Sequence, residues 1–181
     1  MLETFYPDRY VDSAYSIPYR ELYSQGYRGI IFDVDNTLVP HGAPADAASK
    51  ELFKELRAIG FSHCILSNNK EPRVAPFAGE VKSPYIYKGG KPKTAGYKKA
   101  MKLMGTDCSN TLFIGDQLFT DVWGANRTGL FSILVRPINP KEEIQIVLKR
   151  RLEAVVLWFY MRKRKKQRSR RPSGLRKTKV F

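Results

Sequence analysis

The chain has few cysteines, few histidines and no long apolar run. Cys64 and Cys108 are too few and too far apart to predict a disulfide framework or a zinc site. His41 and His63 show no metal-ligand spacing. No apolar run reaches the ~20 residues that a membrane-spanning helix needs, and the N-terminus lacks the features of a signal or transit peptide. We therefore expect a cytosolic protein that does not cross a membrane.

Acidic residues are also scarce relative to basic ones, and the imbalance is local. The net charge is +15, of which residues 141–181 carry +12 and residues 1–140 only +3. With 181 residues and 43% hydrophobic composition, the chain can bury a substantial core. We expect one domain over residues 1–140, followed by a basic C-terminal helix and flexible tail over residues 141–181.

Apolar, β-rich segments alternate with helical patterns along most of the chain. Buried strands are predicted at 29–33, 61–67, 85–87, 111–115 and 131–135, and helices at 19–25, 46–59, 72–77, 94–104 and 119–128. This alternation predicts an α/β fold of the Rossmann type, with one open parallel sheet and helices on both faces. In such sheets the ligand site lies at the carboxyl ends of the strands.

Polar side chains follow four of the predicted strands. In chain order they are Asp33 and Asp35, Ser67 and Asn68, Lys91, and Asp116 and Asp121. Carboxylates that crowd at the end of a buried strand repel each other, so a cation must neutralise them or one of them must do chemistry. Carboxylate oxygens with a lysine and a hydroxyl form the set that Mg²⁺-assisted phosphoryl transfer requires.

Each of these residues also has an ordinary structural interpretation. The Asp-Val-Asp-Asn-Thr stretch at 33–37 could form an Asx turn, and Ser67 could cap the turn after its strand. Lys91 could be a solvated lysine, and Asp121 an acid favoured at a helix N-terminus. The four motifs together indicate phosphoryl-transfer chemistry more specifically than any one of these residues does alone.

In this order the motifs resemble those of the haloacid dehalogenase-like (HAD) superfamily. The matching motifs are Asp-x-Asp-x-Thr at 33–37, the serine at 67, the lysine at 91 and Gly-Asp-x-x-x-x-Asp at 115–121. The resemblance implies that Asp33 is the nucleophile, which becomes a transient aspartyl-phosphate. It implies that Asp35 is the general acid and then the general base.

The resemblance also implies the ligands of the phosphoryl group and of the metal ion. Ser67, Asn68 and Lys91 would hold the phosphoryl group. Mg²⁺ would be bound by Asp33, the backbone carbonyl of Asp35 and Asp116, with assistance from Asp121. The stretch 115–127 and the Phe-Tyr-Pro lead-in at 5–7 resemble the YqeG-type group of subclass IIIA, which is similar to phosphatidylglycerophosphate phosphatases.

The segments in which HAD enzymes carry a cap domain are short in this chain. Residues 36–45 and 68–90 are too few for a folded lid, so the rim should be open and suit a phosphate on a bulky carrier. A predicted helix at 142–161 is apolar along one side, and residues 162–166 are all basic. An apolar helix beside a cationic cluster is typical of an interfacial helix on anionic lipid.

The motifs, the short segments and the basic tail predict a Mg²⁺-dependent phosphatase that is cytosolic and peripherally membrane-associated. The resemblance to the YqeG-type group implies that it converts phosphatidylglycerophosphate to phosphatidylglycerol. Two alternatives remain open at this point. The same mechanism could act on nucleic-acid ends or phosphoproteins, or the fold could serve as the scaffold of an RNA- or ribosome-associated binding protein. The final helix could also simply pack on the sheet, followed by a solubilising tail.

Overall fold

Six parallel strands form the central sheet. The computed structural model describes residues 2–139 and 144–169, and within 144–151 and 166–169 only the backbone. The strands are β1 (Arg9–Val11), β2 (Gly29–Phe32), β3 (Ser62–Leu66), β4 (Tyr85–Ile86), β5 (Thr111–Gly115) and β6 (Phe131–Val135). Their order across the sheet is β1-β6-β5-β2-β3-β4, with every pair parallel. The predicted α/β fold with an open parallel sheet is thus confirmed.

Consecutive strands are connected by helices, which are α1 (Tyr19–Ser24), α2 (Ala47–Ile59), α3 (Glu71–Val81), α4 (Thr94–Met104) and α5 (Trp123–Thr128). Helix α6 (Ile144–Ser169) follows β6. Helix α2 shows how local sequence sets the bounds. Asp46 caps its start by accepting a hydrogen bond from the Ser49 N–H at 2.7 Å, and Gly60 ends it in the left-handed region at φ 109°.

The central strand β2 sends successive side chains to opposite faces of the sheet, as strand geometry requires. Ile30 and Phe32 join a core cluster that includes Leu56 of α2 and Phe77 of α3. Ile31 joins a second cluster, which contains side chains of α4 and α5. Burial of each such apolar side chain contributes roughly 1.5–3 kcal/mol. The helices therefore cover both faces, as predicted.

Three elements differ from the sequence-based expectation. Strand β1 lies in the segment 1–28, for which only a short helix was predicted. Helix α3 continues to Val81, beyond the predicted end at 77, because Ala78 and Val81 keep the buried stripe going. The predicted helix 119–128 begins as a π-helical turn, Leu118–Val122, before α5.

Helix α6 packs beside the carboxyl ends of β5 and β6. Val156 and Tyr160 are buried, and Val156 belongs to a cluster with Leu118 and Leu134. The helix runs through the basic residues to Ser169, whereas the prediction ended it at 161. Residues 141–143 and 170–181 of the predicted C-terminal helix and tail lie outside the described residues. Within the described part of the chain, no helix is both long enough and apolar enough to cross a membrane.

Candidate active site

Three buried carboxylates meet where β2 and β5 end. One carboxylate oxygen from each of Asp33, Asp116 and Asp121 lies within 4.8 Å of the other two. Asp33 directly follows β2, Asp116 directly follows β5, and Asp121 lies in the π-helical turn that comes next. Because β2 and β5 are adjacent and parallel, their ends deliver these side chains to one point.

Lys91 reaches into this cluster and is itself buried. Its Nζ lies 2.7 Å from Oδ1 of Asp33 and 2.7 Å from Oδ1 of Asp121. The backbone of Lys91 is fixed by the side chain of Asn68, whose Oδ1 accepts from the Lys91 N–H at 2.8 Å and whose Nδ2 donates to the Lys91 carbonyl at 3.0 Å. Both amide atoms of Asn68 thus position the lysine.

The π-helical turn fixes the orientation of Asp121. Its Oδ1 accepts from Lys91, and its Oδ2 accepts from the backbone N–H of Gln117 at 3.1 Å. The Tyr97 hydroxyl donates to the backbone carbonyls of Thr120 and Asp121 at 2.9 and 3.1 Å. The carboxylate is therefore held from both sides.

Burial and crowding shift the ionisation of these groups. Burial raises the pKa of Asp33 to about 7, with a further upward contribution from Asp121, although Lys91 opposes the shift. Burial alone would lower the pKa of Lys91, but Asp121 and Asp33 raise it overall. Lys91 is consequently charged at neutral pH. Its positive charge favours the ionised form of Asp33 against the burial that disfavours it.

The Asp35 carboxylate makes its contacts away from this cluster. Its Oδ1 accepts from Arg73 and from the backbone N–H of Gly42, and its Oδ2 accepts from the Asn69 side chain. The carboxylate of Asp35 is therefore not part of the three-carboxylate group. The predicted contact of Asp35 with the metal ion was through its backbone carbonyl, and that contact stays a prediction.

The remaining predicted residues lie close by. The Ser67 hydroxyl accepts from the Asn69 N–H at 3.2 Å, and the Ser67 carbonyl accepts from the Gly89 N–H at 2.8 Å, which brings the loop before Lys91 next to β3. The Thr37 hydroxyl donates to Oδ1 of Asp116 at 3.4 Å. The structure thus brings all seven predicted positions to one edge of the sheet. Phosphate contacts by Ser67 and Asn68 stay a prediction.

Sequence reasoning missed three contributors to this edge. Arg73 and Asn69 hold Asp35, and Glu153 of α6 accepts from the Leu118 N–H at 2.9 Å. Asn69 could have been found, because it is the second residue after the predicted strand 61–67. Arg73 and Glu153 do not belong to any motif recognised in the sequence. Both lie in helices whose docking position depends on the tertiary fold.

The donor set fits a small divalent cation. Three carboxylates that face one another provide hard oxygen ligands, which Mg²⁺ prefers. Asp33, Asp116 and Asp121 would hold such an ion, which would also offset the burial and the repulsion from Asp121 that raise the pKa of Asp33. The residues therefore fit a bound divalent metal ion.

Comparisons with known proteins agree with this geometry. A family model described as HAD-hydrolase-like matches residues 89–139. The chain is 36% identical over 165 residues to "Probable phosphatase YqeG" of Bacillus subtilis (strain 168), covering 90% of this chain and 96% of that protein. It is 26% identical over 166 residues to phosphatidylglycerophosphate phosphatase 1, chloroplastic/mitochondrial, of Arabidopsis thaliana, covering 86% of this chain but only 46% of that protein.

A solved structure supports the fold. A HAD superfamily (subfamily III A) hydrolase from Legionella pneumophila matches with a TM-score of 0.51 at 17% identity, over 67% of this chain and 72% of that chain. The match to YqeG spans nearly the whole of both chains. The predicted family and the predicted enzyme class are both confirmed: the chain belongs to the HAD-like hydrolases and is a phosphatase of the group that includes YqeG.

Proposed function

We propose that the chain is a Mg²⁺-dependent phosphatase that hydrolyses a phosphomonoester through a phosphorylated Asp33. The observation that carries the proposal is the convergence of Lys91 with three buried carboxylates at the carboxyl ends of adjacent strands. Asp33, Asp116 and Asp121 would hold the cation. When bound, Mg²⁺ supplies positive charge to the carboxylates and to the phosphoryl oxygens.

Two residues take part directly in the proposed reaction: Asp33 bonds to phosphorus, and Asp35 transfers the protons. An oxygen of the Asp33 carboxylate bonds to phosphorus while the bond from phosphorus to the leaving oxygen breaks. Asp35, in its protonated form, gives its proton to that oxygen, which departs as an alcohol. Asp35 then takes a proton from water as the water oxygen bonds to phosphorus and the bond to Asp33 breaks. The products are an alcohol and inorganic phosphate, and Asp33 is regenerated.

Lys91 and the buried setting support this chemistry. The side chain of Lys91 is only 4% exposed and its ammonium group touches the attacking carboxylate, so its charge acts with little solvent screening. Lys91 would move from its two carboxylate partners towards the phosphoryl oxygens as charge develops on them. Its fixed backbone keeps the side chain aimed at the same point.

We further propose that the phosphate is carried on an anionic lipid, with phosphatidylglycerophosphate as the substrate. Between Asp35 and α2, and between β3 and Lys91, the described chain contains no folded lid. An enzyme with an open rim suits a headgroup presented by a surface. The similarity to a phosphatase named for this lipid supports the same choice.

The outer side of α6 supports peripheral membrane association. Leu152, Val155 and Phe159 form one exposed stripe at i, i+3 and i+7, with Trp158 beside it, and all four side chains are at least 43% exposed. The guanidinium of Arg162 lies 5.1 Å from the Trp158 ring centroid. Exposed apolar and aromatic groups next to cations favour an anionic bilayer surface.

A substrate panel tests the proposal. Phosphatidylglycerophosphate in anionic vesicles, a 5′-phosphorylated oligonucleotide, a phosphopeptide and a soluble sugar phosphate are compared with and without Mg²⁺, and Asp33→Asn is the control. We expect Mg²⁺-dependent phosphate release to be fastest with the lipid and lost in the variant. Full turnover by Asp33→Asn would overturn the nucleophile, and preference for another substrate would overturn the lipid assignment.

A further inference from the structure

The Asp35 carboxylate accepts four hydrogen bonds, which are unequally divided between its two oxygens. Oδ1 accepts from the Arg73 Nε–H at 3.2 Å, the Arg73 Nη2–H at 2.8 Å and the Gly42 N–H at 2.8 Å. Oδ2 accepts from the Asn69 side chain at 2.6 Å. The donors come from the segment after Asp35, from the turn after β3 and from α3.

This distribution distinguishes the two oxygens chemically. A carboxylate oxygen has two lone pairs, so Oδ1 is fully occupied by three N–H donors, whereas Oδ2 has room for a proton beside its one donor. Protonation at Oδ1 would require Arg73 or Gly42 to give up its bond. A carboxyl group that delivers a proton from this arrangement delivers it from Oδ2.

Arg73 is well placed to impose this orientation. It lies in the first turn of α3, and its side chain is 21% exposed. The guanidinium lies 6.0 Å from the ring centroid of Phe77, which is buried in the core. Two of its N–H groups share one acceptor in a fixed fork, a geometry that a lysine ammonium does not reproduce.

We propose that Arg73 is the positioning residue for proton transfer by Asp35, holding Oδ1 so that Oδ2 faces the leaving oxygen. The inference rests on the proposed role of Asp35 as the general acid. Arg73 itself need not touch the substrate. The contribution of Arg73 to the rate should therefore be large when the departing oxygen must be protonated and small when that oxygen is stable as an anion.

Leaving-group dependence gives a specific test. For p-nitrophenyl phosphate the departing oxygen is stable as an anion, whereas for glycerol 3-phosphate it must be protonated as it leaves. Because kcat/KM reports the steps up to departure of the alcohol, we expect Arg73→Gln to lower kcat/KM for glycerol 3-phosphate by about 10- to 100-fold and kcat/KM for p-nitrophenyl phosphate by less than about threefold. The ratio of the two kcat/KM values does not depend on the fraction of folded enzyme.

Two variants serve as references for this ratio. Arg73→Lys retains the charge but loses the fork, so we expect it to restore only part of the lost kcat/KM for glycerol 3-phosphate. Arg57→Gln removes the guanidinium of an exposed arginine, which donates to the Val81 carbonyl at 2.9 Å, away from the site. We expect Arg57→Gln to leave the ratio at the wild-type value, even if it lowers stability.

The outcomes separate this inference from the function on which it rests. If Asp35→Asn shows the selective loss and Arg73→Gln does not, the inference about Arg73 is wrong and the general acid stands. If Asp35→Asn itself lowers kcat/KM equally for both substrates, the general-acid assignment fails. An equal rise in KM for both substrates with unchanged kcat in Arg73→Gln would make it a substrate-binding residue and overturn the positioning role. In the double variant, we expect little further loss beyond Asp35→Asn alone.

Discussion

Gly115 lies directly against the carboxylate of Asp121. A Cβ atom at position 115 would stand 2.5 Å from Oδ2 and 2.7 Å from Cγ of Asp121, closer than real Cβ atoms approach other atoms. Asp121 cannot yield freely, because Lys91 and the Gln117 N–H hold its two oxygens. The glycine in the Gly-Asp motif therefore allows the second carboxylate of that motif to reach the site.

Gly115→Ala should damage the site and also lower stability, because the added Cβ would lie 2.8 Å from Cε1 of the buried Phe113 ring. The added methyl group displaces Asp121 from Lys91, so we expect phosphatase activity to fall about 10- to 100-fold, an effect of the size that small misplacements produce. Hydrolysis of p-nitrophenyl phosphate measures the loss, and thermal unfolding measures stability.

Gly79→Ala is the matched control for this substitution. Gly79 lies in α3 with nothing within 4 Å of its built Cβ atom, so alanine should stabilise the helix by about 1 kcal/mol and leave activity unchanged. Equal activities for the Gly115 and Gly79 variants would refute the tight contact between Gly115 and Asp121.

Asp33→Asn should abolish activity and yet stabilise the metal-free protein. In the folded state the pKa of Asp33 is raised to about 7 from an ordinary value of 3.8. A raised pKa means that stability present at low pH is lost as the pH rises through the folded-state value. Asparagine does not ionise, so at mildly alkaline pH we expect the variant to be more stable by at least about 1 kcal/mol.

Mg²⁺ should stabilise the wild type more than Asp33→Asn. A cation that binds only the folded state raises its stability, and removal of one of three carboxylates weakens that binding. We therefore expect Mg²⁺ to raise the Tm of the wild type more than that of Asp33→Asn, as measured by thermal unfolding with Mg²⁺ and with EDTA. Equal Tm shifts would argue against Asp33 as a ligand.

The sequence predicted the strands that carry the site because those strands are long and apolar. Strand β2 lies at the centre of the sheet and is buried throughout, so an uninterrupted apolar run marked it. Strand β1 was missed because it has only three half-buried residues, and it pairs with β6 more than 120 positions away. Short edge strands depend on such distant partners rather than on their own pattern.

The residues of the candidate site also differ in whether their positions could be predicted from the sequence. Asp33, Lys91 and Asp116 follow strands or recognisable loops, so their meeting point could be inferred from sheet topology. The contact between Arg73 and Asp35 could not, because it requires the exact placement of α3 over the end of β2. Residue types alone do not specify how a helix docks, since tertiary packing determines the contact.

His63 should make stability fall in mildly acidic solution. Its ring is buried against Phe53, and its Nδ1 lies 2.9 Å from the Ser83 hydroxyl. Burial, followed by the charge of Arg57, lowers the pKa of His63 to about 4 from 6.5. Between these values the unfolded chain binds a proton that the folded chain does not, so stability decreases as the pH falls from about 6.5 to about 4.

His63→Gln should remove this part of the pH dependence. Urea unfolding at about pH 7 and about pH 5 should show that the wild type loses on the order of 1–2 kcal/mol more than the variant between the two conditions. The other titratable groups change the free energy of unfolding equally in both proteins, so their contributions cancel in the difference. If both proteins lose the same stability, a neutral buried His63 is ruled out.

The outer stripe of α6 should carry membrane binding without supporting the fold. Val155 and Phe159 are 54% and 43% exposed, so replacing both with serine should leave the Tm unchanged. Each apolar side chain that leaves water contributes roughly 1.5–3 kcal/mol, so the double variant should bind vesicles at least about tenfold more weakly. Co-sedimentation with phosphatidylglycerol vesicles measures the effect in the full chain.

Leu103→Ser provides the matched control for this variant. Leu103 is 52% exposed on α4, away from α6, so its loss should not alter vesicle binding. Raising the salt concentration should weaken wild-type binding, because the basic residues of α6 are attracted to anionic lipid through a screened interaction. Vesicles of phosphatidylcholine alone should bind the wild type poorly. Undiminished binding by the double serine variant would leave only the basic residues to hold the protein at the surface, and would remove the apolar stripe from the proposal.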